Sequence, residues 1–321
     1  MSTSRQPTEQ PAAPLVAAPF RLLVDDAAIF PPGNAALPRA VFEHQAHKRA
    51  AYADLVGVFV INDIALPDLA KVLANDPSND TSADMFGPLA VTVVVSGGAG
   101  ALEPAVRWAN SDERLEVRSV EIALRDEDDL AHNARRVVTA ADQLVSSGHL
   151  QEDIPVYVEP PRLLGAAPGH SWLAALDEVA AADLRLKFRT GGLDPADFPS
   201  ARDVATSIES ALDRELPFKC TAGLHRALRH RDEETGSEHH GFLNVLLATR
   251  ASLDGAGPVD VVACLEQSDP STLTGLLADI GERGLVSARR WFIAFGSCSV
   301  REPLTDLVDL GLVHKSTQES A

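Results

Sequence analysis

Two lysines, two glutamates and an arginine stand at alternate positions in short apolar runs, and that spacing is where chemistry could sit. In the run 184–188, Leu184, Leu186 and Phe188 fall on one face of an extended strand. Arg185, Lys187 and Arg189 fall on the other, because side chains along a strand alternate with a period of two. The run 218–221 divides the same way, Phe218 and Cys220 against Lys219 and Thr221. In 117–124, Val120, Ile122 and Leu124 leave Ser119, Glu121 and Ala123 opposite; in 154–158, Tyr157 shares a face with Glu159, which closes the run. If the apolar sets meet covering helices, then Glu121, Glu159, Lys187 and Lys219 converge on a common interior, with Arg189 beside them. Buried charges are costly unless paired, so these groups must largely satisfy one another. Such a cluster suits proton transfer or Schiff-base chemistry. A lysine amine is nucleophilic only when neutral, and a nearby cation with partial desolvation lowers its pKa. Lys187 and Lys219 are expected to do this to each other, with Glu121 or Glu159 as acid and base.

The segments Lys187-Phe188-Arg189-Thr190-Gly191 and Lys219-Cys220-Thr221-Ala222-Gly223 resemble the paired strand-six and strand-seven motifs of class I aldolases of the deoxyribose-phosphate aldolase type. The resemblance covers about a dozen residues. It implies that Lys187 forms the Schiff base and that Lys219 tunes it. Arg189 stands where that family has a small residue, and Glu121 where it has an aspartate.

A second set lies at Thr221-Ala222-Gly223-Leu224-His225-Arg226 and Gly296-Ser297-Cys298-Ser299. Loops after the seventh and eighth strands of a barrel often hold a phosphate or carboxylate on backbone N–H groups. Arg189, Thr190, Thr221, Gly223, His225, Ser297 and Asp25 are therefore the expected substrate contacts, for a small anionic molecule. No cofactor is required by this reading. A divalent metal belongs to an alternative one, in which Glu121, Glu159 and Asp25 resemble the acidic sites of enolase-type isomerases and lyases. A third reading is a non-catalytic ligand-binding barrel. Cys298 could be a nucleophile, but the sequence names no base for it.

These residues need a scaffold. Eight β-type runs, at 21–24, 56–61, 89–95, 117–124, 154–158, 184–188, 218–221 and 291–295, alternate with helical patterns. That alternation predicts a single (β/α)8 TIM barrel over 19–312, of α/β class, between disordered tails at 1–18 and 313–321. An open doubly wound sheet would need a glycine-rich phosphate loop after an early strand, and none is present. Helices are expected over 37–54, 172–182, 201–212, 242–250, 259–267, 271–283 and 304–312. One more should bury Leu130, Ala134, Val137, Val138, Ala141 and Val145 on a single face. The connection from 225 to 290 is enlarged, and its very polar first part, 226–240, reads as an exposed loop or lid.

Composition narrows the class. A net charge of -18 would repel nucleic acid and anionic membranes, though not a small anion in a local basic pocket. Aromatics are 5% of a chain that is 45% hydrophobic, so the core must be mostly aliphatic. Three cysteines without paired spacing give neither a disulfide framework nor a zinc signature, which fits a reducing cytosol. The first residues lack the order of a signal peptide.

Overall fold

The computed structural model describes residues 15–75, 87–125, 128–165, 167–233 and 236–313. Eight parallel strands close into a barrel: β1 (Val24–Asp26), β2 (Val56–Asn62), β3 (Leu89–Val95), β4 (Leu115–Ala123), β5 (Val156–Glu159), β6 (Arg185–Arg189), β7 (Phe218–Thr221) and β10 (Phe292–Ser297). Each pairs with its sequence neighbour, and β10 lies between β7 and β1. The expected (β/α)8 architecture is therefore the observed one. A two-residue hairpin, β8 (His230–Arg231) with β9 (Glu238–His239), stands apart from it.

The strand ends differ instructively. Asp25 and Asp26 are inside β1, Glu159 inside β5, and Gly296 and Ser297 inside β10. Polar residues read as stops are thus the last rungs of the ladder, because a barrel's carboxyl ends carry polar side chains into the mouth. β1 splits its two aspartates. Asp25 faces the barrel interior, whereas Asp26 faces α1 (Leu37–Arg49) and holds His44 at 3.0 Å, both groups fully buried. That helix stops at Arg49, short of the expected 54.

Around the barrel stand α2 (Leu66–Ala74), α3 (Leu102–Asn110), α4 (Leu130–Ser146), α5 (His170–Ala181), α6 (Ala201–Leu212) and α10 (Arg301–Asp309). In α4 the buried stripe ends on Leu144 rather than Val145, which is exposed. α6 begins with a capping box. Ser200 Oγ accepts from Asp203 N at 3.2 Å, and the Asp203 carboxylate accepts from Ser200 N at 2.9 Å.

The enlarged connection is part of the core. Its first helix, α7 (Phe242–Leu253), is buried from Phe242 through Thr249 and packs against α6, β10, α8 (Pro258–Glu266) and α9 (Pro270–Arg289). A helix covered on most sides needs mainly apolar residues, and the buried polar exceptions in α7, Asn244 and Thr249, donate to the carbonyls of Cys264, Gln267 and Val245. α9 runs past the expected 283 to Arg289, broken at Gly281, whose φ of 68° only glycine adopts freely. The segment 226–240 is not simply exposed: Ala227 and His240 are buried, and His240 Nε2 lies 2.7 Å from the Pro199 carbonyl oxygen.

Expected tails 1–14 and 314–321 lie outside the described residues. Residues 15–18 and 313 depart from that expectation, since Val16 and Val313 are buried and pair across an antiparallel bridge. No helix among the described residues is long and apolar enough to cross a membrane.

Candidate active site

Register sets the centre of the mouth. Lys187 and Lys219 are direct partners across β6 and β7, and Glu121 is on β4, two strands beyond β6, opposite Tyr157 of β5. All point inward, as the period of two predicts. Together they form a row of alternating charge across the barrel. Arg189 Nε donates to Glu159 Oε1 at 2.9 Å; Lys187 Nζ lies 2.8 Å from Glu159 Oε2 and donates to Glu121 Oε2 at 2.7 Å. Lys219 Nζ stands 2.6 Å from Glu121 Oε1, then reaches past β10 to donate to Asp25 Oδ2 at 2.5 Å. Asp25 ends the row by accepting from the Val58 N–H through Oδ1 at 3.1 Å. Three cations meet three carboxylates, so the row is neutral at its centre. Lys187 is 4% exposed, and Lys219 and Glu121 are each 2%.

This geometry overturns the expected tuning of the lysines. Burial pulls the Lys187 ammonium down, but Glu121 and Glu159 outweigh it, and its pKa lies above the ordinary lysine value. Lys219 is raised too: burial opposes, while Asp25, Glu121 and Tyr157 prevail. Glu121 bridges the two lysines, with Glu159 on the far side of Lys187 and Asp25 on the far side of Lys219, so each ammonium feels its own pair of acids more strongly than the other cation. The acids answer in kind. Burial would raise the Glu121 carboxyl, but Lys187 and Lys219 hold it at about 2. Glu159 is lowered likewise by Lys187 and Arg189 against burial. Tyr157 lies below this row, its ring centre 5.3 Å from Lys219 Nζ.

A cavity of about 440 Å³ opens above the row, within the range of small-molecule sites. Glu121, Lys187 and Lys219 line its base, with Arg162 and Arg189 from the β5 and β6 side and His225 and Cys298 from the loops after β7 and β10. Of the expected contacts, Arg189, Thr221, Gly223 and His225 line it as well. Asp25, Thr190 and Ser297 do not, nor does Glu159 among the expected catalytic groups: the two acids are taken up by the row, and the others tie loops together. Thr190 Oγ1 donates to the Ala222 and Thr221 carbonyls, at 2.5 and 3.2 Å, and Ser297 Oγ donates to the Ser299 carbonyl at 2.7 Å.

Sequence reasoning missed several contributors. Arg162 donates to the Gly191 and Asp197 carbonyls and, at 2.6 Å, to the Asp197 carboxylate, which fixes the rim. Nothing in its loop marked it. Gly57 on β2 is required by Asp25, since a Cβ there would lie 2.1 Å from Asp25 Oδ1. A glycine inside an otherwise β-branched strand was the signal. Cys298 Sγ lies 3.5 Å from His225 Nδ1.

The row also accounts for the carboxylates that the metal reading needed. Lys187 and Lys219 stand where a cation would, and among the described residues no three acids, histidines or cysteines gather as a metal site requires. No family model and no curated protein matches this chain. The fold and the side chains of the mouth therefore carry the functional argument.

Proposed function

We propose that this barrel is an enzyme acting on a small anionic carbonyl compound, with Lys187 as the group that meets the carbonyl carbon. The single observation behind the proposal is that Lys187 opens onto the cavity while lying within 2.8 Å of two carboxylates that can take its proton. Five cationic groups line the cavity, Arg162, Lys187, Arg189, Lys219 and His225, against three carboxylates, Glu121, Asp194 and Asp197, a local balance that favours an anion in a protein of net charge -18.

At rest the amine is stored as an ammonium and is not a nucleophile. An anionic substrate group that takes Arg189 leaves Glu159 with one cation fewer, which raises its proton affinity. Displacing water also penalises the separated charges of the ion pair relative to neutral amine and acid. The proton then passes from Lys187 to Glu159 or Glu121. Lys187 Nζ adds to the carbonyl carbon, the carboxylic acid returns a proton to the departing water, and the resulting iminium accepts the electron pair of the substrate's Cα–Cβ bond, leaving an enamine on Lys187 while the β-hydroxyl gives its proton to the carboxylate and departs as an aldehyde. This is the chemistry of a Schiff-base lyase or aldolase.

The raised lysine pKa favours a second route at the same site. Lys187 would stay an ammonium and stabilise an enolate while a carboxylate removes the α-proton. The two routes separate cleanly. Glyoxylate, pyruvate and glycolaldehyde phosphate are offered to the protein, borohydride is added, and intact mass and peptide mapping follow. Imine chemistry gives one adduct on Lys187, absent from Lys187→Arg. No adduct with any probe, or equal labelling in Lys187→Arg, overturns it. Deuterium exchange into pyruvate that survives in Lys187→Arg selects the enolate route instead.

A further inference from the structure

Across the cavity from the carboxylate row stands a thiol with a base. Cys298 follows β10 directly, and its Sγ lies 3.5 Å from Nδ1 and 3.9 Å from Nε2 of His225. Glu302, in the first turn of α10, places Oε2 3.4 Å from Nδ1, and Ser297 Oγ is 3.5 Å from the same atom. Nδ1 thus has the sulfur, the carboxylate and the hydroxyl all within 3.5 Å, and of these three only the sulfur belongs to a residue that lines the cavity. Both Cys298 and His225 line the cavity. Gly33, in the loop after β1, makes room for the thiol, since a Cβ there would lie 2.9 Å from Cys298 Cβ.

The other cysteines have no such setting. Cys220 is buried on the helix-facing side of β7, and burial pushes its thiol well up. Cys264 on α8 is raised by burial and by Asp260. Thiolate reactivity needs a cationic, accessible surrounding, and of the three only Cys298 has an imidazole beside it and a cavity in front.

We propose that Cys298 is a nucleophilic thiol of the cavity, activated by His225 and positioned to take small aldehydes as thiohemiacetals. The Sγ proton passes to His225, and the thiolate forms a bond to the aldehyde carbon. The carbonyl π pair moves to oxygen, which takes the proton back from His225, so no further reactant is consumed. Glu302 is the positioning residue that orients the ring. Burial pulls the His225 imidazole down, but its hydrogen bonds to Cys298 and Glu302 outweigh burial and lift it to about 9. An imidazolium that persists through neutral pH favours a thiolate beside it. Among the other charged groups, His239 acts on His225, and Arg226 and His230 act on Glu302. The thiol is independent of Lys187, although a lyase of the kind proposed above would release an aldehyde fragment within its reach.

Iodoacetamide alkylation followed by mass spectrometry, from pH 5 to 9, tests the assignment on the full chain. Cys298 is expected to react at least tenfold faster than Cys264 at pH 7. His225→Gln should slow it at least tenfold at pH 7, and Glu302→Gln, at a more exposed position, should slow it by a smaller factor. Propionaldehyde and glyoxylate should retard alkylation of Cys298 in Lys187→Arg, where no imine can form at position 187. Cys298 reacting no faster than Cys264 overturns the proposal. So does a rate profile unchanged in both folded variants, or a lack of aldehyde protection. Each of those outcomes leaves the Lys187 proposal standing.

Discussion

At Glu121, burial and charge pull in opposite directions. Taken out of water alone, its carboxyl would stay protonated; with Lys187 and Lys219 on its two oxygens it ionises at about 2. The same carboxylate satisfies two ammoniums that would otherwise each keep one acid. Replacing it with an isosteric amide should therefore cost much more than a surface pair would. Glu121→Gln is expected to lower unfolding stability by about 3–5 kcal/mol at pH 7, read from urea midpoints. A loss below about 1 kcal/mol would mean that the row is solvated and weak. The pH dependence follows in sign. A carboxyl at 4.5 in the unfolded chain and about 2 in the fold binds more protons unfolded in that interval. Its stabilisation is full above 4.5 and fades as pH falls toward 2, on the order of 3 kcal/mol in all. Glu159, also lowered, adds to the same limb. Between pH 5 and 2 the wild type should thus lose stability more steeply than Glu121→Gln.

Elements decide whether that row can form, and here the sequence was legible in part. Alternation alone put Glu121, Lys187 and Lys219 on inward faces, because a strand has only two faces and the apolar one is identifiable. The limits of β7 and α6 were read as observed. The partners were not readable: alternation gives direction but no distance. The lysines were set against each other, whereas three carboxylates separate and surround them. Nor could a pattern join Cys298 to His225, which are 73 positions apart and meet only because β10 closes beside β7. Loop ties are equally hidden. Asp203 caps α6 and also accepts the Gly165 N–H at 3.0 Å, binding the loop after β5, which carries Arg162, to the helix after β6. Asp203→Ala removes both functions and is expected to cost about 1–3 kcal/mol in thermal or urea unfolding. Amide exchange at Gly165 should rise with it. If exchange there is unchanged, the rim is held by other contacts.

Closing a barrel joins the first strand to the last, and in this molecule one arginine does much of that joining. Arg289, at the end of α9, donates to the carbonyls of Pro19, Arg21, Phe292 and Ile293, so it spans the entry to β1 and the start of β10. Burial draws its guanidinium down to about 10, with Asp25 pulling the other way, so it remains charged at neutral pH. Four carbonyls on one fork are the arrangement that arginine, and not lysine, can serve. The consequence reaches the mouth, because β1 carries Asp25 and β10 carries Gly296, directly opposite it. Arg289→Ala should lower stability by about 2–4 kcal/mol, and Arg289→Lys should recover only part. Hydrogen exchange distinguishes a seam defect from general softening. The Phe295 amide, bonded to the Leu23 oxygen at 2.9 Å across the β1–β10 seam, should open first, while the β3–β4 ladder keeps its protection. Uniform loss across both seams would place closure elsewhere, in the packing of α7 and α9 against β10.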